Sequence, residues 1–179
     1  MKFVIALILA AASTYGGYQA VLWYYPHKLM AYTYTRWNPG NQWFHAGRQN
    51  PQTTWVPGGN PDFIISRAAY DVSKGPILLT GVVPPETYWS LTGYQGNGAN
   101  FFIRNDAGRS GQVYEFVLAK MGIDVSRFPQ AANREVLYSP TDRGLLVVRI
   151  FLTNKVDYTT LKSIQEKAVI QPLANRHSA

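Results

Sequence analysis

The stretch "NPDFIISRAAYDVSKGPILLTGVVPPETYWSLTGYQ", residues 60–95, decides the fold because strand-forming residues alternate there with residues that favour turns. Val, Ile, Tyr, Trp and Thr favour strands, whereas the Gly and Pro of "SKGP" and "VPPE" interrupt them. The pattern predicts three short strands joined by tight turns, at 63–72, 77–83 and 87–94.

The first of these strands has the period of two that is typical of a half-buried strand. Arg67 and Asp71 share its polar face. The residues of its apolar face are Ile64, Ala68, Tyr70 and Val72. We therefore expect one face of this strand to lie on a core and the other to face outward.

The rest of the chain repeats this pattern and then changes to a helical one. Four further strands are predicted at 100–104, 112–120, 134–138 and 145–152. About seven short strands indicate a mainly β fold, an antiparallel β-sandwich of the jelly-roll-like kind, at 60–179. Apolar residues then recur at helical spacing, which predicts one C-terminal helix at 157–171 with Asp157 or Thr159 as its N-cap.

The N-terminus carries an uncharged run at 3–25, after Lys2. A helix needs roughly 20 apolar residues to cross a bilayer, and the aromatic residues that end this run suit the headgroup boundary. Residues 1–26 are therefore predicted to be a signal anchor and transmembrane helix. The alternative is a signal peptide cleaved after the A-x-A triplet at 10–12.

Charge is unevenly distributed along the chain. The net charge is +7, and residues 1–61 contain four basic residues and no Asp or Glu. Basic residues after the span favour the reverse topology, but a leading Lys on a short tail is the ordinary export signal. We expect a single-pass protein of the bacterial inner membrane with its domain in the periplasm. The basic juxtamembrane surface either contacts anionic lipid or is an ordinary solvated face, and the second is favoured.

Residues 27–59 form an irregular lead-in that is rich in Asn, Gln, Pro, Gly and Trp. Its candidate binding residues are Trp37, Trp43, Phe44 and Trp55. These rings either form a sugar-stacking platform or cover an open sheet edge, and the second interpretation is favoured.

Candidate catalytic groups are sparse. The three histidines are His27, His45 and His177, and none has a Ser or carboxylate partner at a recognisable spacing. Cysteine is absent, so thiolate chemistry is excluded. No catalytic residue, metal site or cofactor is predicted, and nucleic-acid binding is not expected because no basic run or reader motif occurs.

Three charged residues are candidate ligand-binding or partner-binding groups. Asp142 and Arg143 lie in the "SPTDRG" turn, and Asp62 precedes the first strand. Turn residues commonly cap their own backbone, so a structural role is favoured for all three. Arg149, inside an apolar strand, is expected to point outward.

Several motifs together resemble the family catalogued as domain of unknown function 1254, over roughly residues 55–173. They are "NPDFIISRAAYDVSKGPILL", "YWSLTGYQGNGANFF", "REVLYSPTDRGLLVVRIFLT" and "VDYTTLKSIQEKAVIQPL". The residues that match the family outline are Asn60, Asp62, Tyr70, Asp71, Ser73, Gly75, Pro76, Tyr88, Ser90, Leu91, Ser139, Pro140, Thr141 and Arg143. The resemblance implies a β-rich, exported bacterial domain and no particular activity.

Members of that family commonly pair this module with a second one of the sister family numbered 1214, whereas here only the first is expected. Two functions are considered. One is a non-catalytic structural or interaction module that completes a complex with a partner resembling the 1214 module. The alternative is a periplasmic domain that binds a small molecule or glycan, with or without hydrolysis.

Overall fold

The computed structural model describes residues 1–37, 40–48 and 60–174, which hold two α-helices and nine strands. The helices are α1 (Lys2–Arg36) and α2 (Tyr158–Glu166). The strands are β1 (Phe44–Arg48), β2 (Phe63–Asp71), β3 (Ile77–Val82), β4 (Trp89–Tyr94), β5 (Asn100–Asn105), β6 (Val113–Lys120), β7 (Glu135–Ser139), β8 (Arg143–Phe151) and β9 (Val169–Pro172).

The strands form two sheets that pack face to face. Sheet A has the order β1-β2-β8-β4-β5, and sheet B has the order β7-β6-β3-β9. A single buried cluster fills the space between them, and Trp89, Tyr70 and Leu79 are among its fully buried members. The mainly β sandwich is confirmed, and all seven predicted strands are present with ends that differ by one or two residues.

Strand β2 shows how sequence alternation sets the two faces of sheet A. It pairs antiparallel with β8 along its whole length, from Phe63 opposite Phe151 to Asp71 opposite Arg143. The predicted apolar face lies in the core, where Ile64 and Tyr70 are fully buried. The other face therefore forms the outer surface of sheet A.

Strands β1 and β9, which each add an edge to a sheet, were not predicted. β1 pairs with β2 inside the lead-in that was expected to be irregular. β9 pairs with β3, so α2 ends at Glu166 rather than at residue 171. Its N-cap is Asp157, which is one of the two residues that the sequence predicted for this position. The pairing of β6 with β7 is parallel, so sheet B is mixed rather than purely antiparallel.

Helix α1 continues well beyond the predicted closure at residues 26–28. Pro26 lies inside it and cannot donate a backbone hydrogen bond, yet the helix runs to Arg36. Its last turns contact the sandwich: Met30 lies beside Gly98 of the β4–β5 loop, and Tyr34 lies beside Asp71. These tertiary contacts hold ten residues helical that the sequence pattern assigned to a loop.

One glycine is required where β8 begins. A Cβ on Gly144 would lie 2.0 Å from the carbonyl oxygen of Tyr94 and 2.5 Å from the hydroxyl of Tyr70. The first contact is with backbone and the second with a buried side chain, so neither can move easily.

We expect Gly144→Ala to lower the free energy of unfolding by at least about 2 kcal/mol, within the range for overpacking. Gly47→Ala is the matched control, because its Cβ would meet only the Tyr158 hydroxyl at an ordinary 3.4 Å. Urea unfolding of the full chain in detergent, followed by tryptophan fluorescence, measures both. Equal stability of the two variants would contradict the expected clash.

Candidate functional site

Asp71, the last residue of β2, joins four segments of the chain at one corner of the sandwich. Its Oδ2 accepts a hydrogen bond from Arg143 Nε at 2.8 Å and one from the Tyr34 hydroxyl at 3.4 Å. Its Oδ1 accepts from the Ser73 backbone at 2.9 Å. The Asn41 side-chain amide also pairs with the Asp71 backbone in both directions, at 2.9 Å each. This Asp71 corner fixes α1 against sheet A.

The hydrogen bonds at the corner change the acidity of its members. Burial alone would raise the pKa of Asp71, but the hydrogen bonds from Ser73 and Arg143 outweigh it and lower that pKa. Burial, together with the Asp71 charge, raises the pKa of the Tyr34 hydroxyl. At neutral pH the corner therefore holds an ionised Asp71 against a charged Arg143.

The "SPTDRG" turn beside this corner is held by its own side chains. Ser139 is fully buried and donates to the Thr141 carbonyl at 2.6 Å, so the buried Tyr70 hydroxyl donates to Ser139 Oγ at 2.7 Å. Thr141 Oγ1 bonds the Arg143 carbonyl and the Gly96 amide. The residues that match the family outline here serve to position the turn and Arg143.

A cavity of about 290 Å³ lies between α1 and this corner. Sheet A contributes Arg143 and Gly144, and the β4–β5 loop contributes Gly96. The helix contributes the rest of the lining: His27, Met30, Ala31, Tyr34 and Thr35. No Asp or Glu is among the described residues that line it.

The outer face of sheet A is a second feature, which we call the basic–aromatic face. It is defined by residues that the strand register places on the side of sheet A away from the core: Phe44, Phe63, Ile65, Arg67, Tyr88, Ser90, Thr92, Ile103, Val147, Arg149 and Phe151. Ser90, Thr92 and Val147, in its centre, are themselves buried. Phe44 is 56% exposed and Ile103 is 51% exposed. Rings of Phe63, Tyr88 and Phe151 pack edge to face at one end.

The guanidinium of Arg67 stacks on two aromatic rings at the β1 side of this face. Its guanidinium lies 4.9 Å from the centre of the Trp37 ring and 4.6 Å from that of Phe44. Burial, followed by the nearby Arg36 charge, lowers the pKa of Arg67. The arrangement is a cation–π stack that uses ring faces otherwise suited to a sugar.

His45 has a partner that the sequence did not indicate. Its Nδ1 lies 2.9 Å from Ser66 Oγ, because the β1–β2 register places these two residues opposite each other. Burial lowers the pKa of His45, and so does the charge of Lys162. The expectation that no histidine has a partner was therefore wrong for His45. Ser66 is fully buried, so its hydroxyl is closed to a substrate.

The structure separates the predicted site residues. Trp37 and Phe44 meet at Arg67, whereas Trp43 packs against the core. Trp55 lies outside the described residues.

The three charged candidates also lie apart from one another. Asp142 pairs with Lys120 at 2.8 Å, and Arg143 pairs with Asp71. Asp62 is exposed at the start of β2, where its carbonyl accepts from the Leu152 amide. Among the parts of the chain that the structure describes, no three His, Cys, Asp or Glu side chains lie close enough to hold a metal.

The sequence did not indicate that Tyr34 and Asn41 contribute to the Asp71 corner, or that Arg67 and Arg149 contribute to the basic–aromatic face. Arg149 does point outward, as expected, and one of its nitrogens lies 3.4 Å from the Tyr94 hydroxyl. Tyr34 and Asn41 carry no local signal, because their contacts depend on where α1 meets β2. The matched positions of Asp71 and Arg143 in the family outline were a usable signal for the corner.

Comparison of this chain with known proteins shows similarity of fold. No functionally curated protein matches the chain. The crystal structure of the VPA0106 protein from Vibrio parahaemolyticus has 18% identity and a TM-score of 0.68, over 86% of this chain and 36% of that one. An uncharacterized protein from Burkholderia cenocepacia has 14% identity and a TM-score of 0.53, over 86% and 41%.

The chain thus spans well under half the length of both solved relatives, and at these identities the likeness shows the fold alone. The family described as protein of unknown function DUF1254 matches residues 40–172, which include every strand of the sandwich. On that match, the chain belongs to the DUF1254 family.

Proposed function

We propose that this protein is a non-catalytic interaction module, anchored in the bacterial inner membrane by α1 with its domain in the periplasm. Its partner is an envelope protein that resembles the sister 1214 module. The basic–aromatic face is the docking surface, and the observation that carries the proposal is the coexistence there of exposed apolar rings with Arg149, which has no ion pair to a carboxylate among the described residues.

Helix α1 supports the anchor. Among the described residues it is the one helix long and apolar enough to cross a membrane. Its N-terminal part is exposed on all sides, and Phe3 is 80% exposed. A helix that is apolar all round needs a cover of protein or lipid. Its 35 residues extend about 52 Å, which exceeds a hydrocarbon core of roughly 30 Å and leaves the last turns for the sandwich.

Arg149 supports a protein partner on the outer face of sheet A. It is half-buried, and its polar contact within the described residues is the Tyr94 hydroxyl, with no ion pair to an Asp or Glu. Its cross-strand neighbours are Ile65 and Ser90, which carry no charge. A partly desolvated guanidinium of this kind is complementary to a carboxylate on an incoming surface.

The chemistry and size of the face agree with a protein occupant. Exposed rings and Arg side chains are enriched at the centres of protein interfaces. In both solved relatives, more than half of the chain lies beyond the part that matches this one. A separate module of the 1214 type, with apolar side chains and at least one carboxylate, fits the face. Anchorage of both partners in one membrane would raise their effective concentration.

The glycan-binding alternative has less support. Arg67 stacks on the Trp37 and Phe44 rings, so those faces are already in use. Trp43, the third described ring of the predicted platform, lies against the core. Within the described lead-in, β1 pairs with β2 along one edge of sheet A, and the interpretation that the aromatic rings themselves cover an edge stays a prediction.

The anchor is tested by the N-terminus of the mature protein. Because α1 is one continuous helix from Lys2 to Arg36, we expect sequencing of the membrane-extracted protein to begin at Met1. Protease added to spheroplasts should degrade the domain if it faces the periplasm. A mature start at Ser13 would contradict the anchor, and protection of the domain would contradict the orientation.

The docking surface is tested by site-specific photo-crosslinking in cells. A crosslinking residue at position 103, on the basic–aromatic face, should capture a polypeptide that resembles the 1214 module. The matched control is position 113, because Val113 is 68% exposed on the outer face of sheet B. Equal capture at both positions, or capture of unrelated proteins alone, would refute the assigned surface.

Charge reversal tests the role of Arg149 in the same interaction. Arg149→Glu would face the partner's carboxylate with a like charge, so we expect recovery of the 1214-type partner in detergent to fall at least about tenfold. Arg127→Glu is the control of equal charge change, because Arg127 is exposed on the sheet B side, after β6. Unchanged recovery with Arg149→Glu would contradict the proposed contact.

A further inference from the structure

The cavity between α1 and the Asp71 corner has one wall that is a single helix stripe. His27, Met30, Ala31, Tyr34 and Thr35 recur at spacings of three and four, so they share one face of α1. The opposite wall is Arg143 with Gly144, and Gly96 closes one side.

Arg143 presents unused donors to this space. Its Nε is committed to Asp71, and its guanidinium lies 5.4 Å from the centre of the Tyr34 ring. The two terminal nitrogens make no hydrogen bond among the described residues, and 61% of the side chain is exposed. A fork of two N–H groups is the geometry that binds phosphate oxygens in pairs.

The second basic group of the wall is His27. Its Nδ1 lies 2.6 Å from the Trp23 carbonyl, so Nε2 is left to face outward. Lys28, the next residue, lies over the Tyr24 ring at 5.3 Å. Arg143 is therefore the one Arg or Lys among the described residues that line the cavity, and Asp71, which lies beside the cavity, is already paired with it.

The cavity begins beside the predicted headgroup boundary. His27 lies two residues after Tyr25, which is a rise of about 3 Å along the helix, and Thr35 lies about 15 Å above Tyr25. Each headgroup layer is roughly 5–7 Å thick. With α1 in a membrane, the His27 end of the cavity is within the headgroup layer. Helix side chains tilt toward the helix N-terminus, so the Tyr34 ring and the Arg143 guanidinium beside it lie on the membrane side of the Tyr34 backbone, within reach of a headgroup phosphate.

We propose that this cavity binds the phosphate-bearing headgroup of an anionic membrane lipid, with Arg143 as the principal phosphate contact and His27 at the entrance. The proposal rests on the membrane insertion of α1 but not on the protein partner. A bound headgroup would bridge the helix and the sandwich and so fix the height of the domain above the bilayer. A soluble phosphate compound shares the same chemistry, so the source must be distinguished by experiment.

The test uses the full chain in detergent and native mass spectrometry of lipid adducts. The probes are phosphatidylglycerol, phosphatidylcholine and glycerol phosphate. We expect phosphatidylglycerol to bind most tightly, because the other two lack either the net charge or the acyl chains. Arg143→Gln should weaken phosphatidylglycerol binding at least about tenfold, as expected when a charge-assisted pair is lost. Ala31→Phe, which fills the cavity, should weaken it similarly.

Asp71→Asn is the matched control for the loss of the Asp71–Arg143 ion pair. It removes the negative charge of the pair but keeps a side-chain oxygen that accepts hydrogen bonds, and the Asn41 bonds to the backbone remain, so α1 stays in place. The positive charge of Arg143 also remains, so binding should be unchanged or tighter. A loss of binding in Asp71→Asn equal to that in Arg143→Gln would overturn the direct contact. Glycerol phosphate binding as tight as that of the lipid would overturn the lipid source, and equal binding of phosphatidylcholine would overturn the preference for an anionic lipid.

Two further measurements separate this proposal from that of the partner. Arg143→Gln should leave the crosslink from position 103 intact, since the Tyr34 and Asn41 hydrogen bonds to Asp71 remain to hold α1 against sheet A, and the cavity and the basic–aromatic face are built from different side chains. Arg149→Glu should leave phosphatidylglycerol binding intact. Loss of lipid binding in Arg149→Glu would show that the adduct reports general surface charge and would refute the cavity as the site.

Discussion

The structure depends on the hydrogen-bonded ion pair between Asp71 and Arg143, which face each other across β2 and β8. The same carboxylate accepts a hydrogen bond from the Tyr34 hydroxyl, and the Asn41 side-chain amide forms two hydrogen bonds with the Asp71 backbone. The neighbouring residue, Tyr70, points into the core and bonds Ser139. Two successive residues of one strand thus fasten the helix on one side and the "SPTDRG" turn on the other. An exposed ion pair alone contributes little, but here it belongs to a network whose members have few alternative positions.

The period of two in sheet A separates structural from functional chemistry. Inward residues of β2, β8 and β4 are mostly apolar and form one cluster, so packing sets their type, and the exception is Ser66, which bonds His45. Outward residues of the same strands include Arg67, Arg149 and the exposed rings, which lie outside the core cluster. A solvated face is usually mixed in charge, whereas this one pairs basic groups with aromatic rings. That composition is typical of a surface that meets another molecule.

Most of the sandwich could be predicted from the sequence because alternation is a local property. The first predicted strand alternates between apolar inward and polar outward residues, the next strands are runs of strand-forming residues between turn residues, and Asp157 was a recognisable cap. Strands β1 and β9 are edge strands with few buried residues, so their pattern is weak. The extension of α1 past Pro26 depends on contacts of the helix with Gly98 and Asp71, which are distant in sequence. The His45–Ser66 pair depends on the register between β1 and β2, which is also a tertiary property. The sequence indicated Arg143, Trp37 and Phe44 as candidate site residues. It could not indicate that Arg143 lies at the Asp71 corner whereas Trp37 and Phe44 lie around Arg67.

The extended helix also bears on how a membrane anchor and a docking face can work together. If α1 ended at Pro26, the domain would hang on a flexible connection and its outer face would sample all orientations. Because α1 stays helical to Arg36 and is fixed at the Asp71 corner, the direction of the helix sets the direction of sheet A. Preorganisation of this kind reduces the orientational freedom that a partner in the same membrane must remove on binding. Under the proposed anchorage and docking, the corner would matter for recognition without touching the partner, because it would hold the basic–aromatic face at a defined angle to the bilayer.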